Sequence, residues 1–247
     1  AVHRSIGNTL LEMRLSRTNR ADADLFAAVE AEELPSQPVL GGPLNAAGPA
    51  DSGPALSALP ALRVFGQANQ TFIIAEGPQG LYMIDQHAAH ERVLFDRFDI
   101  QLEAGEVQTQ PLLEPASLAI SASQMLALDE NQQLLASAGF DLEPFGSDAC
   151  LIRAVPALAG RASPAQLVGE VLTELENLPE PTAARERALA AMACQAAVKA
   201  GATLDVQEMR ELVSQLERTL RPDTCPHGRP TMIHLSHSQL EREFGRR

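Results

Sequence analysis

The chain has 247 residues, a length that suits one large or two small domains. Hydrophobic residues make up 45%, which excludes a disordered chain, and no apolar run approaches the roughly 20 residues that cross a bilayer. Acidic residues outnumber basic ones 32 to 19, and the net charge of −13 repels nucleic acid at long range, so bulk charge alone does not grip DNA. The chain opens on Ala1 without an initiator Met, so a fragment of a longer protein is expected, and its first residues do not read as a basic-plus-apolar leader. Three cysteines, Cys150, Cys194 and Cys225, cannot all pair within the chain. With no leader, a reducing, cytoplasmic setting is expected.

Residues 1–34 carry short helical patterns around Ile6, Leu10 and Leu11, and around Leu25, Phe26 and Val29. From Pro35 to Pro60, Pro, Gly, Ser and Ala fill 18 of 26 positions without periodicity, so residues 1–60 are expected to be largely a flexible interdomain linker. Order is expected from about Leu62. The Val-, Phe-, Thr- and Ile-rich run 64–76, the turn Gly77-Pro78-Gln79-Gly80 and the strand Leu81–Ile84 read as a hairpin. A helix is expected from His87 to Leu102, with Gly105 as its stop, then a strand from Leu112 to Ile120.

A helix follows from Ser123 to Ala138, then a hairpin of Phe140–Phe145 and Ala149–Val155 around Gly146. Ser163-Pro164 opens a helix to about Leu178, with the serine as N-cap and the proline in the first turn. An alanine-rich helix runs from Thr182 to Ala200, and Val206, Met209, Leu212, Val213, Leu216 and Leu220 mark a last long one. A short strand near Met232–Leu235 and a helix from Ser238 end the chain. Strands and helices interleave without regular βαβ spacing, which implies an α+β fold.

Two stretches carry chemistry. On the helix that follows Asp85, His87 and Glu91 stand at i and i+4 on one face, and Asp85 reaches toward the same point from the strand end. Two carboxylates and an imidazole suit a divalent cation. The same residues also fit a plain helix start, with Asp85 as cap and Glu91 in solvent. His90, about 100° further round the helix, is expected at the surface. Cys225-Pro226-His227 holds a thiol and an imidazole two residues apart, both good zinc ligands. Cys194 lies mid-helix in an alanine-rich face and Cys150 in an apolar run, where cysteine commonly packs as a small hydrophobe.

Four motifs, in order, resemble the C-terminal endonuclease region of the MutL mismatch-repair family over about residues 61–247. Asp85-Gln86-His87-Ala88-Ala89-His90-Glu91-Arg92 resembles the family's D-Q-H-A-x2-E-x4-E motif, with Asp96 where the last Glu stands. Ala193-Cys194-Gln195 resembles its A-C-R motif with Gln in place of the basic residue. Cys225-Pro226-His227-Gly228-Arg229-Pro230 matches C-P-H-G-R-P, and Phe244-Gly245-Arg246 resembles F-x-R.

The resemblance implies a bacterial, cytoplasmic homodimer. Its dimerisation subdomain would be built from residues 61–120 and 191–247, with an external regulatory subdomain at 121–190. It implies metal ligands at Asp85, His87, Glu91, Cys194, Cys225 and His227, of which Asp85, His87 and Glu91 would be catalytic, and zinc and/or manganese as cofactor. Metal-dependent nicking of one strand of duplex DNA is the implied activity. Gln110-Pro111-Leu112-Leu113-Glu114-Pro115 resembles the family's clamp-binding motif, so Gln110, Leu112, Leu113 and Pro115 would bind the replication sliding clamp and so offset a weak direct affinity for DNA. A MutS-type mismatch-recognition partner is implied for the full-length protein. The alternative is a non-catalytic, zinc-stabilised dimerisation and clamp-binding module.

Overall fold

The computed structural model describes residues 59–177 and 183–246. The expected linker, apart from residues 59 and 60, lies outside the described residues, as do the short helical patterns before residue 35. Three antiparallel strands come first: β1 (Arg63–Ala68), β2 (Phe72–Gly77) and β3 (Gly80–Asp85). The run expected as one strand from 64 to 76 is two, because Asn69 and Gln70 adopt φ of 51° and 50° and reverse the chain. Helix α1 (Gln86–Ala104) starts directly on β3 and stops at Gly105, whose φ of 67° is the left-handed C-terminal cap that glycine adopts without steric penalty.

The second sheet has the order β4-β6-β5, from β4 (Thr109–Ala119), β5 (Asp141–Pro144) and β6 (Ala149–Pro156). β4 falls within the span expected for the first subdomain, yet it pairs with β6 rather than with β1–β3. Its pairing lapses between Pro111 and Ala116. Pro111 and Pro115 have no N–H to donate, so the intervening residues leave the ladder. Helices α2 (Ala122–Glu130) and α3 (Gln132–Ser137) replace the single helix expected from Ser123 to Ala138; Asn131 divides them. Helix α4 (Pro164–Glu176) begins at Ser163-Pro164 as expected, although the serine hydroxyl makes no capping bond.

Helix α5 (Ala184–Ala196) is four residues shorter at its C-terminus than its alanine content suggests; Ala197 turns extended at φ −68°, ψ 149°. Helix α6 (Val206–Leu216) is held at its start by a reciprocal Asp205–Glu208 capping box. Strand β7 (Met232–Ser236) joins the edge of β3, giving an all-antiparallel sheet in the order β1-β2-β3-β7, and α7 (His237–Glu243) follows. Gly80 is where β7 passes closest: a Cβ there would sit 2.1 Å from the Leu235 carbonyl oxygen. The fold is α+β. Among the described residues, no helix is long and apolar enough to cross a membrane.

Two apolar cores result. One unites Ile73, Ala75, Tyr82 and Ile84 of the first sheet with Met209, Leu212, Val213 and Leu216 of α6. The other gathers β6, α4 and most of α5 around Ile152, Leu167, Leu172, Leu189 and Met192. The sequence-based limit at residue 190 therefore falls inside a helix. Helix α1 serves both cores, giving Ala89 and Val93 to the first and Leu94 and Phe98 to the second. Its N-terminal turns, which carry the motif residues, are thereby wedged between two packed bodies.

Candidate metal centre

Asp85 ends β3 and caps α1: its Oδ1 accepts from the N–H groups of His87 at 2.9 Å and Ala88 at 3.1 Å. Those are orphan donors of a helix start, so the cap sets the phase at which His87 and Glu91 leave the helix. Gln86 is fully buried; its amide donates to the carbonyls of Gln70 and Ala202, each at 3.0 Å, and its oxygen accepts from Gln67. These bonds pin the segment after α5 against the start of α1.

The same segment is held by two imidazoles. His87 Nδ1 lies 3.0 Å from the Val198 carbonyl, and His90 Nδ1 accepts from the Val198 N–H at 3.0 Å. His90 was expected at the surface. It is half-buried instead, and burial, with Arg97 and His87 nearby, lowers its pKa to about 4, so it stays a neutral acceptor. With Nδ1–H of His87 donated to a carbonyl, Nε2 faces inward, where it offers a lone pair to a metal ion once its own proton has left, which is how a metal-ligating imidazole is held.

Nε2 meets Glu91, whose side chain is fully buried. Nε2 stands 3.0 Å from Glu91 Oε1, a contact without hydrogen-bond geometry, so Oε1 is a buried carboxylate oxygen with no donor. A lone pair and a carboxylate oxygen this close call for a cation, a proton or a metal ion, beside them. His87, Glu91 and Cys194 bring ligand atoms within 4.8 Å of one another, and so do Glu91, Cys225 and His227. Glu91 belongs to both groups. Sulfur, nitrogen and one carboxylate form a donor set that fits zinc, so the residues present suit the ion that the motifs imply. Asp85 belongs to neither group.

The second group depends on a braced loop. Arg92 donates to the Thr224 carbonyl at 2.7 Å and to Asp96 Oδ1 at 3.0 Å, while Asp96 Oδ2 accepts from the Leu220 N–H at 3.1 Å. Asp96 thus has a bracing role outside both ligand groups. Thr231, fully buried, donates its hydroxyl to the Pro222 carbonyl. A turn closes with Gly228 N–H on the Cys225 carbonyl at 3.0 Å and Cys225 N–H on the Arg229 carbonyl at 2.8 Å. Arg229 Nη2 then reaches Glu91 Oε2 at 2.9 Å. Sequence reasoning missed Gln67, Gln86, Arg92 and Arg229 as builders of this site. Three of them lie inside the quoted motifs, and a run of polar residues at the start of a buried helix is the signal that could have found Gln86 and Arg92.

Electrostatics follow from this crowding. The Cys194 side chain, then Glu91, raise His87 to about 10 against the opposing effect of burial. Burial pushes Glu91 up, but His87, Cys194 and Arg229 outweigh it and leave the carboxyl at about 2. In chelator, the Glu91 contribution to stability is present above its ordinary pKa of 4.5 and lost as pH falls toward 2. The His87 contribution is full below 6.5 and lost as pH rises through about 10. Melting temperature in chelator should therefore peak between those ordinary values and fall on both sides. A profile unchanged by Glu91→Gln would show that the pair contributes nothing.

Of the expected clamp-binding residues, Leu112, Leu113 and Pro115 sit on the irregular stretch of β4, and Gln110 just before it, paired with Val155. Gln110, Leu113 and Pro115 are exposed, Leu113 completely so at 105%, whereas Leu112 packs partly against the second core.

Residues 65–204 match the family described as the MutL C terminal dimerisation domain. The DNA mismatch repair protein MutL of Symbiobacterium thermophilum is 44% identical over 192 residues, covering 75% of this chain and 30% of that protein. MutL of Clostridium botulinum strain Kyoto is 37% identical over 187 residues, covering 75% of this chain and 28% of that protein. MutL of Clostridium perfringens strain 13 is 36% identical over 189 residues, covering 76% and 28%. The chain thus spans under a third of the length of these relatives. On the match across more than half of its residues, the chain belongs to the MutL C-terminal dimerisation domain family.

Proposed function

We propose that this chain is the dimerising, metal-dependent endonuclease part of a DNA mismatch-repair protein, nicking one strand of duplex DNA. The observation that carries the reading is Glu91: a fully buried carboxylate shared by two groups of metal donors. Zinc or manganese held there would polarise a phosphodiester oxygen and activate a bound water. The chain's own residues hold that geometry. The Val198 carbonyl orients His87, the Arg92–Asp96 brace sets Cys225, and the partly exposed His227 lies on the open side, where substrate would approach. Asp85 acts through the helix start. Nicking of supercoiled plasmid that needs a divalent cation and stops in chelator tests the reading.

Homodimerisation draws support from the open face of the first sheet. Ile74, Leu81 and Met83 alternate with the buried Ile73, Tyr82 and Ile84, so they project to the opposite side. Ile74 pairs with Met83, Met83 with Ile233 and Leu81 with Leu235, making an apolar ladder across three strands. Phe65 and Ile233 are 54% and 58% exposed. Residues 61–120 and 191–247 as dimerising parts, with 121–190 external, remain part of the proposal.

Gln110, Leu113 and Pro115 offer an exposed anchor to the sliding clamp, which would tether a chain of charge −13 to DNA; a MutS-type partner would act on the full-length protein. Gln110→Ala with Leu113→Ala should leave the melting temperature unchanged. It should reduce clamp-stimulated nicking at least tenfold, with clamp-free nicking intact. Equal loss with and without clamp would remove this part of the reading.

A second reading has its own observation. Asp85 caps a helix and Asp96 braces a loop, so Glu91 is the one carboxylate in the two donor groups, among two cysteines and two histidines. Thiolate-rich sets suit structural zinc. A non-catalytic, zinc-stabilised dimerisation and clamp-binding module would bind the metal and leave the plasmid uncut.

A further inference from the structure

Arg229 does something that a plain donor set does not require. Glu91 divides its two oxygens between neighbours. Oε1 faces His87 at 3.0 Å, while Oε2 faces His227 at 3.5 Å and the Arg229 guanidinium at 2.9 Å. Arg229 therefore holds the Glu91 oxygen that faces the second group, Oε2, while its carbonyl accepts from the Cys225 N–H.

Guanidinium does not give up its proton in proteins, so this positive charge cannot be neutralised to make room. A divalent cation bound by Cys225, His227 and Glu91 Oε2 would lie within a few ångströms of it, where like charges repel strongly. The Arg229 backbone is fixed by its carbonyl's bond to the Cys225 N–H, but its side chain is 56% exposed. The guanidinium can leave toward solvent while the loop stays closed.

Resting on the metal-centre reading above, we infer that Arg229 competes with a second divalent cation for Glu91 Oε2. The two donor groups then fill in order: His87, Glu91 and Cys194 first, and Cys225 and His227 only as the guanidinium swings out.

Cobalt(II) titration of the whole chain, followed by thiolate-to-cobalt absorption, tests this. The expected wild-type result is two steps, the second at least tenfold weaker. Arg229→Gln and Arg229→Met, both uncharged, should strengthen the second step at least tenfold and leave the first unchanged. Arg229→Lys, which keeps the charge, should stay within threefold of wild type. A single wild-type step that becomes two in the uncharged variants also supports the inference. A second step that is unchanged or weaker in both uncharged variants overturns it, as does one step throughout. His87→Ala should remove the first step and Cys225→Ala the second. If neither alters cobalt binding, the metal-centre reading itself fails, which is a different result from silent Arg229 variants on an intact two-step titration.

Discussion

Glu91→Gln should abolish metal-dependent nicking while preserving side-chain size. Glutamine keeps one carbonyl oxygen but loses the charge that both donor groups share. Cation affinity should fall by more than the roughly 10–100-fold that follows loss of a group that merely orients a ligand. The fold should also suffer, because His87 and Arg229 lose their buried partner. Removing one member of a buried ion pair costs about 3 kcal/mol or more. The two effects are separable: activity per folded molecule, measured at a temperature where circular dichroism shows the variant intact, should still be at background. Nicking at more than a tenth of the wild-type rate under those conditions would remove Glu91 from the centre of the account.

Phe65→Asp together with Ile233→Asp should convert a dimer into a monomer. Both side chains are more than half exposed in the single chain, so each change should alter its stability by only about 0.5 kcal/mol. In a dimer the four new carboxylates would be buried on an apolar ladder without partners. Unpaired buried charge costs several kcal/mol, and about 4 kcal/mol is a thousandfold in the dissociation constant. Light scattering at micromolar concentration should report a single-chain mass for the variant and twice that mass for the wild type. A variant that stays dimeric would place the interface elsewhere.

The His87–Glu91 pairing was legible because i, i+4 spacing on a helix is local geometry, and Gly105 as a helix stop was legible for the same reason. What stayed hidden depended on contacts across the fold. Local propensity carries α5 to Ala200, but the chain turns out at Ala197, where His87 and His90 take both backbone groups of Val198. No pattern within the alanine run announces that. His90 looked like a surface residue because the helical wheel does not know that the segment after α5 lies against α1. The turn at Asn69-Gln70 lacks the glycine that normally marks left-handed backbone, so two strands read as one. β4 pairs with β6 rather than with the first sheet, a partner that its eleven residues, with two prolines and no clean alternation, do not announce. Asp85 was read both as ligand and as cap; the orphan N–H groups of α1 are met by its Oδ1, and neither donor group includes it.

Anomalous scattering at the zinc edge, on crystals grown with zinc, tests whether Glu91 and its neighbours hold the metal. A peak bonded to His87 Nε2, Glu91 and Cys194 at about 2.0–2.3 Å is expected, with a second, weaker peak at Cys225 and His227 as loading increases. Zinc bound elsewhere on the chain, with Glu91 paired only to His87 and Arg229 at full loading, would contradict it.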